Sequence, residues 1–222
     1  MKPARTLIVS IIFAAIAVGV AIWLWPHFPA RMPTHWNASG QPNGYSTRFW
    51  AVAMWPLLIL GLAALTVALP AISPRHFEIT PFADIYGVLM LAIQGVMLVL
   101  GITAMLAGAG HAVPMTTIAP LAIGVLLMVL GNYMGKLRRN FFVGIRTPWT
   151  LASEAVWERT HRLGGWMFVL AGLVFVAAGM AGVMSRWLLA VIVVVLLLPA
   201  GYSYFIYRRL EGRHPSSGGD AP

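Results

Sequence analysis

The residues of this chain that could do chemistry are concentrated in residues 140–166, of sequence NFFVGIRTPWTLASEAVWERTHRLGGW. Glu154 and Glu158 are four residues apart, so a helix would place them on one face, with the spacing that paired acid–base carboxylates need. Arg162 follows one turn later, in the order that favours a surface ion pair with Glu158. No nucleophile–base pair accompanies the carboxylates. We therefore interpret them as a solvated helix face and expect that the protein is not an enzyme.

Metal and cofactor chemistry finds little support in the sequence. His27 and His35 are eight residues apart, which matches no common ligand spacing, and the segment around them contains no carboxylate. His111 is the third candidate ligand. The absence of cysteine excludes disulfides, thiolate catalysis and thiolate metal sites. We predict no metal, no cofactor and no catalytic residue.

The elements that carry these residues are apolar and long. Hydrophobic residues make up 59% of the 222 residues, charged residues 9%, and the mean hydropathy is +0.81. About 20 apolar residues in a helix cross a hydrocarbon layer of about 30 Å, and lipid offers no partner for unpaired backbone groups. The predicted fold is a single all-α integral membrane domain over 1–222, with six transmembrane helices at roughly 6–25, 49–70, 83–107, 116–135, 164–182 and 187–207.

The first apolar run is predicted to be a retained helix. It follows Lys2 and Arg5, as a signal peptide would, but its apolar core is about 20 residues long and ends in WLWPHF instead of small residues.

The distribution of basic residues predicts the orientation. With the N-terminus in the cytoplasm, only Arg31, Arg48 and Arg186 of the 15 Lys and Arg residues lie outside, which is a strong positive-inside bias. Both termini are therefore predicted to be cytoplasmic. The net charge of +9 is interpreted as topology and attraction to anionic lipid, because no soluble segment could hold nucleic acid.

Two loops and a tail remain outside the predicted spans. The outer loop, 26–48, is punctuated by prolines and by Gly40, Asn43 and Gly44, and its PNGY sequence predicts a tight turn. The inner loop, 136–163, is predicted to contain one amphipathic helix over Thr147–Leu163 lying along the cytoplasmic interface, with His161 on its polar face. The tail, 211–222, is predicted to be disordered.

Polar residues within the spans leave a transport function open. Gln94 lies in the third span and Asp84 near its start. Intramembrane polar residues can mark a solute path, but a single glutamine more often bonds a neighbouring helix, which is what we expect here. A small-solute transporter or channel, or a membrane protein of unknown activity, is therefore the alternative hypothesis.

Two motifs resemble a known family. GNYMGKLRRNFFVGIRTPWTLASEAVWERTHRLGG is similar to the signature of the SdpI family of bacterial six-span immunity proteins. MPTHWNASGQPNGY resembles the amino-terminal domain of unknown function that often accompanies that signature. The resemblance implies a protein of the bacterial inner membrane that gives resistance to a secreted toxin peptide and reports the toxin to a cytoplasmic repressor.

The resemblance also implies the site residues. The outer-loop recognition positions are Pro33, His35, Asn37, Gly40, Gly44 and Tyr45. The inner-loop motif positions are Asn132, Asn140, Gly144, Arg146, Thr147, Pro148, Trp149, Trp157 and Thr160. We predict that Arg146 lies against backbone carbonyls or a carboxylate at the inner mouth of the bundle, because a guanidinium there needs several partners.

Overall fold

The computed structural model describes residues 3–183 and 185–211, which form α-helices and one β-hairpin. The helices are α1 (Pro3–Leu24), α2 (Arg48–Ile72), α3 (Ala83–Gly108), α4 (Met115–Met134), α5 (Pro148–Ala152), α6 (Glu154–Met180) and α7 (Arg186–Glu211). The strands β1 (Arg31–Trp36) and β2 (Pro42–Thr47) lie between α1 and α2. Apart from Glu211, which ends α7, the tail predicted to be disordered lies outside the described residues.

Six of the helices are long and apolar enough to cross a membrane, which confirms the predicted fold class. Large apolar side chains cover their outer surfaces: Ile22, Leu197 and Phe205 are each more than 60% exposed. So are Trp23 and Trp187, close to helix ends, where amphipathic rings favour the headgroup region. In water such a surface would aggregate, whereas in lipid it is solvated.

The segment before the fifth span differs from the prediction. Thr147–Leu163 is two helices, because the chain turns extended at Ser153 (φ −135°, ψ 125°) and the Ser153 hydroxyl caps α6 by accepting a hydrogen bond from Val156 N. The second helix, α6, continues through Gly164 and Gly165 without a break. The structure thus corrects the expected interfacial helix to the five-residue α5. It is followed by a spanning helix that begins at Glu154, about ten residues or nearly three helical turns before the predicted start at 164.

Helices α4 and α6 form the most extensive interface of the bundle. Glycines line both sides of it at seven-residue spacing: 124 and 131 on α4, and 165, 172 and 179 on α6. A Cβ on Gly131 would lie 2.6 Å from the Gly165 carbonyl oxygen, and one on Gly172 would lie 2.6 Å from the Gly124 oxygen. The two backbones therefore touch, as small residues allow in lipid, where close van der Waals packing drives association.

The bundle has two ends with different contents. The hairpin end carries the β-hairpin and the α3–α4 connection, which are neighbours because Gly40 lies against Thr116 and Gly108 against Met32. The motif end carries residues 135–147, α5 and the start of α6. Helices α1, α2 and α3 pack as one group, and α4, α6 and α7 form a second. The two groups meet where α3 packs against α4.

Gln94 does not behave as predicted. It is fully buried in α3, yet neither Oε1 nor Nε2 has a hydrogen-bond partner in the described part of the chain. The expectation that it bonds a neighbouring helix is therefore wrong.

Candidate functional site

The hairpin is anchored in the bundle by Met32 of β1. Met32 is 1% exposed and packs with Leu24, Val52 and Met105, while Phe28 extends the same cluster towards α1. Because alternate residues of a strand point to opposite sides, the anchoring of Met32 directs its neighbours away from that cluster. The hairpin is thus fixed to α1, α2 and α3 at this end of the bundle.

The hairpin turn is formed by residues 37–41. Asn37 Oδ1 accepts hydrogen bonds from Ser39 N (2.9 Å) and Gln41 N (3.0 Å), which closes the turn. Gly40 adopts φ +73°, a conformation that residues other than glycine rarely take. The turn predicted at Asn43–Gly44 is wrong, since both residues lie in β2. Gly44 is required by a close approach instead, because a Cβ there would lie 2.9 Å from His35 Cβ on β1.

The predicted outer-loop recognition residues come together on this hairpin. Pro33 pairs with Tyr45, and His35 pairs with Gly44. His35 Nδ1 donates a hydrogen bond to Asn43 Oδ1, and both side chains are exposed, as is Tyr45 at 52%. The exposed hairpin surface therefore presents an imidazole, an amide and a phenol on a rigid backbone. In the described ranges, no three side chains of His, Asp or Glu come together as a metal site.

At the motif end, Asn140 organises the loop from within. Its side chain is fully buried, and its Nδ2 donates to the carbonyls of Arg138 and Val143, both at 2.9 Å. Its Oδ1 accepts from Phe142 N (2.9 Å) and Val143 N (2.7 Å). Four hydrogen bonds satisfy both ends of the amide, so this side chain fixes a loop that has no regular secondary structure.

Gly144 and His161 join the loop to α6. Gly144 adopts φ +110°, and a Cβ there would overlap His161 Nε2. That nitrogen accepts a hydrogen bond from Ile145 N (2.9 Å), while His161 Nδ1 lies 2.8 Å from the carbonyl of Trp157. The Trp157 ring stacks on His161 at 3.9 Å between centroids, and its Nε1 donates to Leu137 O (2.8 Å). The loop is thus bonded to α6 at both of its ends.

Threonine hydroxyls hold α5 in place. Thr147 caps α5, accepting from Thr150 N, while Thr150 Oγ1 accepts from Thr147 N and lies 2.9 Å from Ile145 O. Thr147 Oγ1 is also 2.9 Å from Ser203 Oγ of α7, whose own proton is directed to Ala200 O. Trp149 packs edge-on against Tyr204 of α7, with 5.0 Å between ring centroids. Helix α5 therefore bridges the loop to the last helix.

A cleft of about 440 Å³ opens beside this loop. Its walls are apolar side chains of α3, α4, α6 and α7, and the remaining wall is the loop segment 143–147. Arg146 lines the cleft and is exposed, and its Nη1 donates to Phe141 O (2.7 Å). The predicted contact of Arg146 with a carbonyl is therefore present. Phe141 O is its one hydrogen-bond partner among the described residues, so the expected multidentate arrangement is absent there.

Three predicted motif residues stand apart from this network. Asn132 is exposed on α4 and lines a smaller groove of about 200 Å³ with Arg162 and Trp166. Pro148 occupies the first turn of α5, where its missing N–H has no cost. Thr160 is fully buried on α6, and its hydroxyl lacks a partner among the described residues.

Sequence reasoning missed three residues of the network: His161, Thr150 and Ser203. His161 lies inside the motif, but helical periodicity placed it on a polar face with Glu158 and Arg162. Thr150 occupies the position where a capping box usually has Glu or Gln, so the common pattern was not matched. Ser203 is 56 residues from Thr147 in sequence, and no local sequence pattern predicts their contact.

Comparison with known proteins identifies two regions. Residues 136–204 match the SdpI/YfhL protein family, and residues 12–60 match a domain of unknown function, DUF1648. The chain is 25% identical over 209 residues to the immunity protein SdpI of Bacillus subtilis strain 168, covering 92% of this chain and 97% of that protein. No solved structure matches the chain. The matched regions contain all the motif residues predicted from the resemblance except Asn132, and the resemblance is confirmed.

Proposed function

We propose that this chain, a membrane protein of the SdpI family, protects the cell that makes it against a secreted, membrane-active peptide. The observation that carries the proposal is the similarity to an immunity protein over 92% of the chain. A similarity of that extent covers both ends of the bundle, so it extends beyond the shared membrane composition.

The hairpin is the part of the molecule best suited to meet such a peptide. It presents the exposed side chains of His35, Asn43 and Tyr45 on a backbone that is fixed by the buried Met32. A peptide that inserts from outside would reach this end first if the N-terminus is cytoplasmic, as the distribution of basic residues favours. The aromatic and amide groups can bind a peptide without large losses of conformational entropy.

The motif end is the part best suited to meet a cytoplasmic regulator. The basic side chains of Lys136, Arg138 and Arg159 are exposed there, and the loop is held by hydrogen bonds of the buried Asn140 and His161 side chains. A rigid basic surface can attract and orient an acidic partner. We therefore include reporting to a repressor in the proposal, as a function separate from protection.

Protection is proposed to act by binding and not by catalysis. The hydroxyls of Thr147 and Thr150 are occupied by hydrogen bonds, with Ser203 of α7 and with the Ile145 carbonyl respectively. Glu154 and Glu158, the carboxylates with acid–base spacing, are both exposed on the first turns of α6. A solvated carboxylate without a base or nucleophile beside it is poorly placed for general acid–base chemistry.

The test is survival of a sensitive bacterium that expresses the chain. Cells carrying the chain or an empty vector are exposed to increasing doses of each membrane-active peptide encoded near the gene. We expect the chain to raise the inhibitory dose of one of them at least about tenfold, a factor of the order that moderate binding differences produce. Equal killing of both strains by every such peptide would contradict the proposal.

Two substitutions separate protection from reporting. We expect His35→Ala to reduce protection while Ser39→Ala, a change at the exposed turn of the same hairpin, leaves it intact. We expect Arg146→Ala to impair reporting from a repressor-controlled promoter while Arg162→Ala preserves it. If either substitution abolishes both functions at normal membrane levels, the two ends do not act separately.

A second candidate function, movement of a small solute, rests on Gln94. Both polar atoms of its fully buried side chain lack partners in the described residues, which is expensive in the absence of water or a ligand. Proteoliposomes containing the wild type or Gln94→Leu distinguish this candidate. Solute flux that depends on Gln94 supports transport, and equal leakage of the two proteins rejects it.

A further inference from the structure

We propose that the cleft at the motif end holds an anionic phospholipid of the surrounding bilayer, with an acyl chain between the helices and its phosphate on Arg146. The inference concerns a lipid site and does not depend on protection against a peptide.

The cleft has the size and lining of a ligand site. Its volume of about 440 Å³ lies within the range of about 300–1,000 Å³ that small-molecule sites occupy. Leu89 of α3, Leu130 of α4, Phe168 of α6 and Leu196 of α7 line it. Leu196 is 53% exposed, whereas Leu89 is 4% exposed, so the cleft leads from the lipid-facing surface into the bundle.

The cleft exists because two helices diverge. Helix α3 packs on α4, and α7 packs on α6, whereas α3 and α7 share no extensive contact among the described residues. The gap lies between spanning helices, where hydrocarbon chains are the surrounding solvent. An acyl chain can enter it sideways without crossing a polar layer.

The cation of the cleft is matched to a phosphate. A guanidinium has five N–H donors, and in the described part of the chain Arg146 donates one of them to Phe141 O. No acidic side chain is found among the described residues that line the cleft. The remaining donors favour a bidentate contact with a phosphate, and the other exposed basic residues of this end favour an anionic over a zwitterionic lipid.

The family motif builds the wall that carries this cation. The wall is the backbone of residues 143–147, which Asn140 bonds through Val143, His161 through Ile145, and Thr150 through the carbonyl of Ile145. The buried motif residues are thus positioning residues for Arg146. This accounts for a network that rigidifies an irregular loop while leaving Arg146, the charged residue of segment 143–147, exposed.

The test is lipid titration of the full chain in detergent, followed by native mass spectrometry. The probes are dioleoyl phosphatidylglycerol and dioleoyl phosphatidylcholine, and the measurement is the Kd of the first bound lipid. We expect phosphatidylglycerol to bind about tenfold more tightly than phosphatidylcholine, because a hydrogen bond to a charged group changes Kd by about that factor or more. We expect Arg146→Gln to abolish this preference. Arg162→Gln, at the same end but outside the cleft, should preserve it.

A second variant tests the acyl-chain position. Ala200 lines the cleft from α7 and is half-buried, so Ala200→Phe fills the cleft from one side. We expect both lipids to bind at least about tenfold more weakly, since fewer methylenes are buried. The Ala200→Phe measurement tests the lipid site even if Arg146→Gln lowers the unfolding temperature.

Three results would overturn the proposal. The first is equal loss of the phosphatidylglycerol preference in Arg146→Gln and Arg162→Gln, which would indicate diffuse surface charge. The second is unchanged lipid binding in Ala200→Phe. The third is that an apolar peptide of about 20 residues binds the wild type but not Ala200→Phe, and that neither lipid competes with it. That result would assign the cleft to a peptide.

Discussion

At the residue scale, His161 is the point where the motif loop and α6 are joined. Its Nε2 accepts the Ile145 N–H, so it carries no proton, and its Nδ1 faces the carbonyl of Trp157, so it donates. The imidazole is therefore neutral, in the Nδ1–H tautomer. The ring stacks on Trp157 and both nitrogens take part in hydrogen bonds, so the side chain positions the loop instead of reacting.

Substitution of Gly144 tests this junction. We expect Gly144→Ala to lower the stability by about 2 kcal/mol or more, because φ +110° strains any L side chain and the new Cβ overlaps His161 Nε2. Gly135→Ala is the matched control, since it lies in the same loop at φ −69° with nothing within 4 Å of an added Cβ. Apparent melting temperature in detergent measures both, and an equal response of the two would contradict the assigned role of Gly144.

The resemblance singled out several residues of the motif loop, but their structural contacts could not be predicted from the sequence. Resemblance brought together Asn140, Gly144, Thr147 and Trp157, which the structure places around one loop. The partners of these residues were not predicted. Periodicity assigned His161 to a polar helix face, although it is 1% exposed. A 3.6-residue period reports which side of a helix is polar, and it cannot report that a loop folds back to cover that side.

At the element scale, the α4–α6 seam depends on glycine. We expect Gly131→Ala to destabilise the bundle by about 1–3 kcal/mol, because a Cβ would lie 2.6 Å from the Gly165 oxygen and force the helices apart. Gly201→Ala on α7 meets nothing within 4 Å and should be neutral or stabilising by up to about 1 kcal/mol, as alanine is the better helix former. In detergent, the thermal unfolding midpoint should fall for Gly131→Ala and stay unchanged or rise for Gly201→Ala. A stabilised Gly131→Ala would refute the close packing.

The hairpin is a second element whose stability depends on one side chain. We expect Met32→Ala to loosen it by about 2–5 kcal/mol, because Met32 is 1% exposed and its removal leaves a cavity among Leu24, Val52 and Met105. Hydrogen exchange of the β1 and β2 amides should accelerate while that of α4 and α6 stays unchanged. Tyr45→Ala, which removes an exposed side chain of the same hairpin, should leave the exchange slow. Equal protection in Met32→Ala and the wild type would show that the hairpin is held elsewhere.

Hydropathy predicted the spanning elements but misplaced the break before the fifth one. The first turns of α6 contain Glu154, Glu158 and Arg162, so an apolar window begins only after them. Ser153 followed by Glu154 is a helix-start signal, but it follows the stronger signal of Thr147–Pro148 by six residues, and a single long helix was the simpler interpretation. The structure uses both signals, with α5 between them.

At the scale of the whole molecule, the proposed function requires the hairpin end and the motif end to face opposite sides of the membrane. The chain has no cysteine, so single cysteines report their own side without interference. We expect Ser39→Cys, on the exposed hairpin turn, to react with a membrane-impermeant maleimide in intact cells. Ala155→Cys, exposed near the start of α6, should react only after the membrane is opened. Labelling of both in intact cells would contradict the arrangement.

The proposed function requires the hairpin to contact the peptide against which the chain protects. A photoreactive phenylalanine analogue in place of Tyr45, which is 52% exposed, is compared with the same analogue in place of Phe141, which is 48% exposed at the motif end. Cells that survive the peptide are irradiated, and adducts are measured by mass spectrometry. We expect a chain–peptide adduct at Tyr45 and none at Phe141. An adduct at Phe141 alone, or protection without any adduct at Tyr45, would contradict it.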